Sequence, residues 1–410
     1  MKGNKILANN IIMLYIMNIT QLVLPLATLP YLTRVLSVEG YGVVSYVKSI
    51  MTYATLVIEF GFILSGTRDI VEAKSDKKKI GKIIGRITEG KLILSLISLF
   101  VLFVMIFTIP LLSRHILFTL LSFVSPFLSI FLYDYLFRGL EKMQIVTMRY
   151  LIMKGISTFL TFIVIKSESQ LIMIPMLDIL GSFCAVCWVH SEVRKLGIKI
   201  SKDSISEVIR SIRVSFTYFL SDVATTAFGA LNTFFVGIFL SVSDVAFWGI
   251  TMSFVGAVQS MYSPISDGIY PHMIKTKNLE LFIKIILFFI PFLIMGGLTT
   301  FFGAKFIMYI IGGQKYIVAA WYLKETIPLM IISFFSILFG WPLLGAIDKV
   351  RETTTTTVVT AILQVIGLAL LIVTKDFTIP LLIFVRTITE LFMAIFRILY
   401  AYRFRELFRE

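Results

Sequence analysis

The sequence predicts an all-α, polytopic membrane protein of about twelve transmembrane helices in two six-helix bundles around a central cleft, with both termini cytoplasmic. Three observations predict it: the composition, the recurrence of long apolar stretches, and the placement of Lys and Arg between them. Hydrophobic residues make up 58% of the 410-residue chain and charged residues only 15%, and the mean hydropathy is +0.92. Those values lie far from a water-soluble domain, so the bilayer is the solvent against which each segment is judged.

A helix needs about 20 mostly apolar residues to cross the hydrocarbon core. Twelve stretches meet that need, near 10–32, 42–66, 91–112, 116–137, 150–166, 171–190, 213–240, 246–270, 281–303, 321–345, 354–374 and 379–401. Lys2 and Lys5 precede the first, in the manner of a secretory leader, but the apolar run continues past Pro25 to Leu32 without a small-residue cleavage site, so it is read as an uncleaved helix. Lys154 interrupts the fifth stretch, and the Thr353 to Thr357 run opens the eleventh. Pro25 and Pro264 remove backbone donors inside the first and eighth and permit bending.

The formal charge is +14, which in a soluble chain would suggest nucleic acid. Topology accounts for it instead, and no nucleic-acid partner is inferred. With the N-terminus in the cytoplasm, Lys2, Lys5, the segments 67–91, 138–154, 191–213 and 271–284, Lys349, Arg351, and the Arg403, Arg405 and Arg409 tail share one side, carrying 28 of the 38 Lys and Arg. The opposite side holds only Arg34, Arg114, Lys166, Lys305, Lys315, Lys324 and Lys375. This positive-inside asymmetry requires an even number of spans. Cys184 and Cys187 form a C-x-x-C inside the sixth stretch with no second pair or His cluster nearby, so they read as buried helix residues and no metal or cofactor is predicted.

A weak internal repeat divides the chain. Leu36, Ser37 and Val38 recur as Leu240, Ser241 and Val242, an offset of 204 that also carries Ser49 onto Ser253. Six spans fall on each side of the 191–213 loop, giving predicted bundles at 1–200 and 201–410 related by an axis along the membrane normal.

Helical periodicity places polar residues on shared faces. Asn10, Asn18, Gln21, Pro25 and Thr28 share one in the first span; Ser45, Lys48, Thr52, Thr55 and Glu59 in the second; Ser215, Tyr218, Asp222, Thr225, Gly229 and Asn232 in the seventh; Gln259, Ser263, Ser266 and Tyr270 in the eighth. Small polar residues also serve helix packing, but four such faces at repeat-related positions favour a water-accessible path. Ionisable residues within spans cost roughly 2.5 to 3.5 kcal/mol each and need partners or water. Lys48 and Asp222 lead as site candidates. Arg386 and Glu390 read equally as a structural or a functional pair, and Asp134, Asp267 and Arg397 read as snorkelling toward the interface.

Several motifs resemble one family. Tyr31 to Gly42 (YLTRVLSVEGYG) is similar to the R-x-L-G-x-x-x-Y-G signature of bacterial polysaccharide flippases, the O-antigen repeat-unit transporters of the multidrug/oligosaccharidyl-lipid/polysaccharide exporter superfamily. Phe60 to Phe62 with Thr67 to Ile70 resembles that family's G-F and S-R-D/E elements, and Phe137 to Lys142 (FRGLEK) its F-Q-G-L-E-K. Ser37 stands where the family usually has Gly, and Arg138 where it often has Gln.

The resemblance implies a bacterial inner-membrane flippase for undecaprenyl-diphosphate-linked oligosaccharide, working by alternating access. In that frame the substrate-binding candidates are Lys48, Arg386 and Arg34, with Lys154, for the diphosphate. Asn18, Gln21, Thr52, Asn232 and Gln259 are the candidates for the sugars. Asp222, Glu59 and Glu390 are candidates for coupling to a proton or sodium ion. No Walker-type loop is found, so ATP hydrolysis is not expected. Partners implied are the lipid-linked oligosaccharide, the bilayer and other glycan-assembly membrane proteins. A drug or other lipid-linked precursor exporter is the alternative. A membrane glycan polymerase or glycosyltransferase is disfavoured because the outer loops offer few groups for chemistry, and the chain is read as not an enzyme.

Overall fold

The computed structural model describes residues 2–73 and 76–408, without the side chains of residues 2–9, 11, 221, 224, 225, 227 and 228. Arg409 and the side chains of Lys2, Lys5 and Thr225 therefore lie outside the described residues. The described chain is helical, with no strand among the described residues. It forms two compact units, Met1–Val223 and Ala224–Glu410.

In chain order the helices are α1 (Lys2–Val35), α2 (Val38–Glu59), α3 (Phe62–Ala73), α4 (Lys77–Thr108), α5 (Pro110–Arg114), α6 (Ile116–Leu128), α7 (Asp134–Gly139), α8 (Met143–Val164) and α9 (Met173–Lys195). They continue as α10 (Ile205–Thr226), α11 (Asn232–Phe239), α12 (Val242–Ser260), α13 (Ser263–Thr276), α14 (Leu279–Gly312), α15 (Ala320–Glu325), α16 (Ile327–Leu338), α17 (Val350–Val373) and α18 (Ile379–Arg403).

Among the described residues, ten helical segments are long and apolar enough to cross a membrane. The seventh and eighth predicted spans are not among them. The seventh is α10, a π-helical turn at Ala227–Leu231, and the short α11. The eighth is broken after Ser260, where Met261 and Tyr262 bond back only three residues, and α13 restarts with Pro264 in its first turn. The polar residues that defined faces in these two spans also lower their apolarity, which is why length alone does not rank them with the rest.

The Leu-Ser-Val repeat has a local structural meaning. Ser37 caps α2, its hydroxyl accepting from the Gly40 N–H at 2.8 Å, and Ser241 caps α12 in the same extended conformation. Such a cap satisfies a backbone donor that the first helical turn leaves open. In the first unit the Ser37 cap is itself fixed, since its N–H and hydroxyl both donate to Glu168, at 2.5 and 3.0 Å.

The first unit packs α8 against α1 and α9, α6 against α9, and α3 against α7. Phe62, Ile84, Tyr135, Phe137, Ala185 and Val189 form its core. Ser125 and Ser182 hydrogen-bond at 2.7 Å across α6 and α9, the kind of contact that joins helices where lipid removes any hydrophobic drive. The turn from α2 to α3 uses Gly61 at φ +75, a conformation that favours glycine, and a Cβ there would meet the Phe219 nitrogen at 2.7 Å. The second unit packs α18 against α16 and α17. Phe282, Phe334, Leu338, Leu343 and Leu344 fill its core.

On the Lys-rich side of the first unit, the segment leading into α10 lies against α4. A Cβ at Gly81 would meet the Lys199 carbonyl oxygen at 2.1 Å, and one at Gly85 the Ser201 carbonyl oxygen at 2.0 Å. Arg86 ties the same region together, with contacts to Asp69 at 2.7 Å, Glu207 at 3.5 Å and Asp203 at 4.0 Å. Gly85→Val is expected to displace this segment and destabilise the protein by about 1–3 kcal/mol, the usual cost of overpacking. Thermal unfolding of the purified protein checks it, and an unchanged midpoint would show the seat to be dispensable.

Candidate functional site

Lys48 lies ten residues into α2 and Lys154 eleven residues into α8. At 1.5 Å per residue each is about 15 Å from its helix end, half the thickness of a hydrocarbon core of about 30 Å. Lys154 Nζ is 3.3 Å from Asp178 Oδ1 on α9, and the Ser157 hydroxyl donates to the same oxygen at 2.7 Å. Lys48 is within electrostatic reach of both Lys154 and Asp178. Lys48 and Lys154 therefore stand around one carboxylate, and the three side chains are formally net positive. Lys48 is exposed, and the Lys154 and Asp178 side chains are 38% and 35% exposed. Such exposure at mid-depth is tolerable facing water or an ionic ligand and not facing lipid.

Other first-unit candidates fall elsewhere. Glu59 is engaged by Lys91, whose Nζ donates to it at 2.6 Å, and Ser129 donates to its other oxygen at 3.4 Å. Lys91 is only 2% exposed, so this is an internal pair rather than an open ion site. Asp222, half-buried on α10, feels the Glu59 carboxylate nearby. Arg34, in the last turn of α1, donates back to the Pro30 carbonyl at 2.6 Å. Asn18 and Gln21 are exposed on α1. Thr52 is exposed one turn beyond Lys48, its hydroxyl donating to the Lys48 carbonyl at 3.0 Å.

The second unit contains a cavity of about 420 Å³ that brings Gln259, Arg386 and Glu390 together. Arg386 Nη1 is 3.0 Å from Glu390 Oε2, and the Ser336 hydroxyl donates to Glu390 Oε1. Gln259 Nε2 donates to Ser333 at 2.7 Å. Trp248 contributes a wall, with its indole N–H already given to Thr233 at 3.0 Å. Asn232 belongs to a separate buried chain: Gln364 donates to it at 3.0 Å, and Thr389 donates to Gln364 at 2.7 Å.

Arg397, read from the sequence as snorkelling, is instead 7% exposed. Its guanidinium donates to the Ser336 carbonyl at 2.5 Å, to Thr356 at 3.1 Å and to Thr357 at 2.9 Å. Gly340, whose backbone leaves the helical region at ψ −113, makes room for it. A Cβ at Gly340 would stand 2.8 Å from Arg397 Nη1. Sequence reasoning also missed Trp248 and Ser336 as cavity residues. The signal available was the Thr353 to Thr357 run, a row of hydroxyls opposite an intramembrane arginine.

The chain is similar to known proteins in sequence and in fold. The sequence pattern of the family described as polysaccharide biosynthesis protein matches residues 7–277. A proposed O-antigen transporter of Escherichia coli (strain K12) is 27% identical over 288 residues, 68% of each chain. Another from Shigella dysenteriae is 26% identical over 351 residues, covering 82% of this chain and 85% of that one. The fold is similar to an inward-facing multidrug resistance MATE family transporter of the MOP superfamily, with a TM-score of 0.73 at 14% identity over 94% of this chain and 95% of the other. It is also similar to the lipid II flippase MurJ in an inward closed conformation, with a TM-score of 0.68 at 14% identity over 96% and 87% of the two chains.

Proposed function

The chain belongs to the polysaccharide biosynthesis protein family and is a multi-pass membrane transporter rather than an enzyme, and from that premise we propose that it flips undecaprenyl-diphosphate-linked oligosaccharide repeat units from the cytoplasmic to the periplasmic leaflet of a bacterial inner membrane by alternating access. The observation that carries this reading is the Lys48, Lys154 and Asp178 cluster, a net cation at mid-depth. A diphosphate is the anionic part of such a cargo, and ammonium groups in a low-dielectric site are its natural partners. A cationic drug would be repelled by the same cluster, which disfavours the alternative exporter.

The reading is tested in cells lacking the gene. Lipid-linked oligosaccharide is expected to accumulate while the surface glycan is lost, and the plasmid-borne gene restores both. Unchanged glycan and unchanged lipid pools in the deletion strain would contradict it.

Asp222 is the carboxylate we assign to proton or sodium coupling, half-buried within the span on α10 and in electrostatic reach of the Glu59 carboxylate. Asp222→Asn is expected to flatten the dependence of transport on pH or on sodium. A dependence identical to wild type would remove Asp222 from the ion path.

A further inference from the structure

The cavity of the second unit is built differently from a phosphate site. Its arginine is neutralised in place, with Glu390 Oε2 3.0 Å from Arg386 Nη1. A diphosphate entering there would meet a carboxylate at short range, where a low dielectric leaves repulsion strong. What the cavity offers is a mixture of donors and acceptors, namely the Arg386 guanidinium, the Glu390 carboxylate and the Gln259 amide, set among the apolar walls of Trp248, Met252 and Met393.

Gly229 and Gly256 also line it, and at both a Cβ would meet no atom within 4 Å among the described residues. Glycine inside a helix is destabilising relative to alanine. In membrane helices that cost is normally offset by letting a second backbone approach. No described backbone comes within 4 Å of a Cβ at either position, so the missing side chains serve the volume of the cavity. At about 420 Å³ that volume falls in the range of small-molecule sites, where a few polar groups fix orientation against apolar walls.

We propose that this cavity binds a neutral saccharide portion of the cargo, an inference that rests on the cargo carrying sugar. Each sugar hydroxyl both donates and accepts. Arg386 supplies donors, Glu390 acceptors and Gln259 both, while the apolar walls cover the C–H faces of the ring.

The test uses purified full-length protein in which Trp188, Trp321 and Trp341 are replaced by Phe, leaving Trp248 as the fluorescent reporter. The probes are the oligosaccharide released from the host's own lipid pool by mild acid and, separately, inorganic pyrophosphate. The oligosaccharide is expected to change Trp248 emission saturably. Gly256→Leu, which fills the cavity from a position with open space at its Cβ, and Gln259→Ala are each expected to weaken that binding at least about tenfold, the scale of losing a hydrogen-bonded fit. Pyrophosphate is expected to leave the emission unchanged.

The proposal is overturned if pyrophosphate reproduces the signal, if the oligosaccharide gives none, or if both variants bind as the parent does. That failure is distinguishable from failure of the flippase reading. In the first case the deletion strain still accumulates lipid-linked oligosaccharide, and in the second it does not.

Discussion

Lys48→Ala is expected to abolish translocation while leaving the amount of protein in the membrane unchanged. Lys48 is an exposed residue of α2 and is not needed to hold Asp178, which already pairs with Lys154 and Ser157. Removing it takes half the positive charge from the cluster. A charged hydrogen bond is worth roughly 1.5 to 3 kcal/mol, so a loss of at least about tenfold in transport is the expected minimum. Lys48→Arg keeps the charge but changes its shape and hydration, and is expected to retain part of the activity. The measurement is initial transport rate against membrane abundance by immunoblot. Wild-type transport by Lys48→Ala would make the residue structural.

Arg397→Leu is expected to have the largest effect on stability. The guanidinium makes three hydrogen bonds at a site only 7% exposed. Its loss leaves the Ser336 carbonyl and the Thr356 and Thr357 hydroxyls without that partner, and Glu390 loses a neighbouring positive charge. Removing one member of a buried charged network costs about 3–5 kcal/mol, which would appear as a lowered unfolding midpoint and poor recovery from the membrane. Arg397→Lys keeps the charge without the fork and is expected to fall between. A midpoint equal to wild type in Arg397→Leu would show that the network is dispensable.

The all-α membrane class could be read from hydropathy and charge placement because both are properties of whole segments. The cationic cluster could be read only by half. Lys48 stood out on its polar face, but its partners are on other helices. Lys154 was named among the diphosphate candidates, but its depth was not legible, because α8 was expected to begin near residue 150. The helix begins at Met143 instead, since Arg149 is only 8% exposed and pairs with Asp134. The same displacement hid the pairing of Glu59. The third span was expected to begin at Lys91, whereas α4 begins at Lys77, so Lys91 lies well inside a helix packed against α2. The last helix was more transparent: Arg386 and Glu390 are one turn apart, so their pairing follows from spacing alone. Arg397 was not transparent, because its partners come from the Thr run of α17 and from a kink at Gly340 that no local pattern announces.

Reconstitution tests whether the Lys48, Lys154 and Asp178 cluster carries a lipid diphosphate across the bilayer. Proteoliposomes containing lipid-linked oligosaccharide are exposed to an external glycosidase, and the cleavable fraction is followed with wild type, Lys48→Ala and protein-free vesicles. The cleavable fraction is expected to rise above the protein-free level with wild type alone. Equal accessibility in all three, with folded protein and the cognate glycan present, would contradict it.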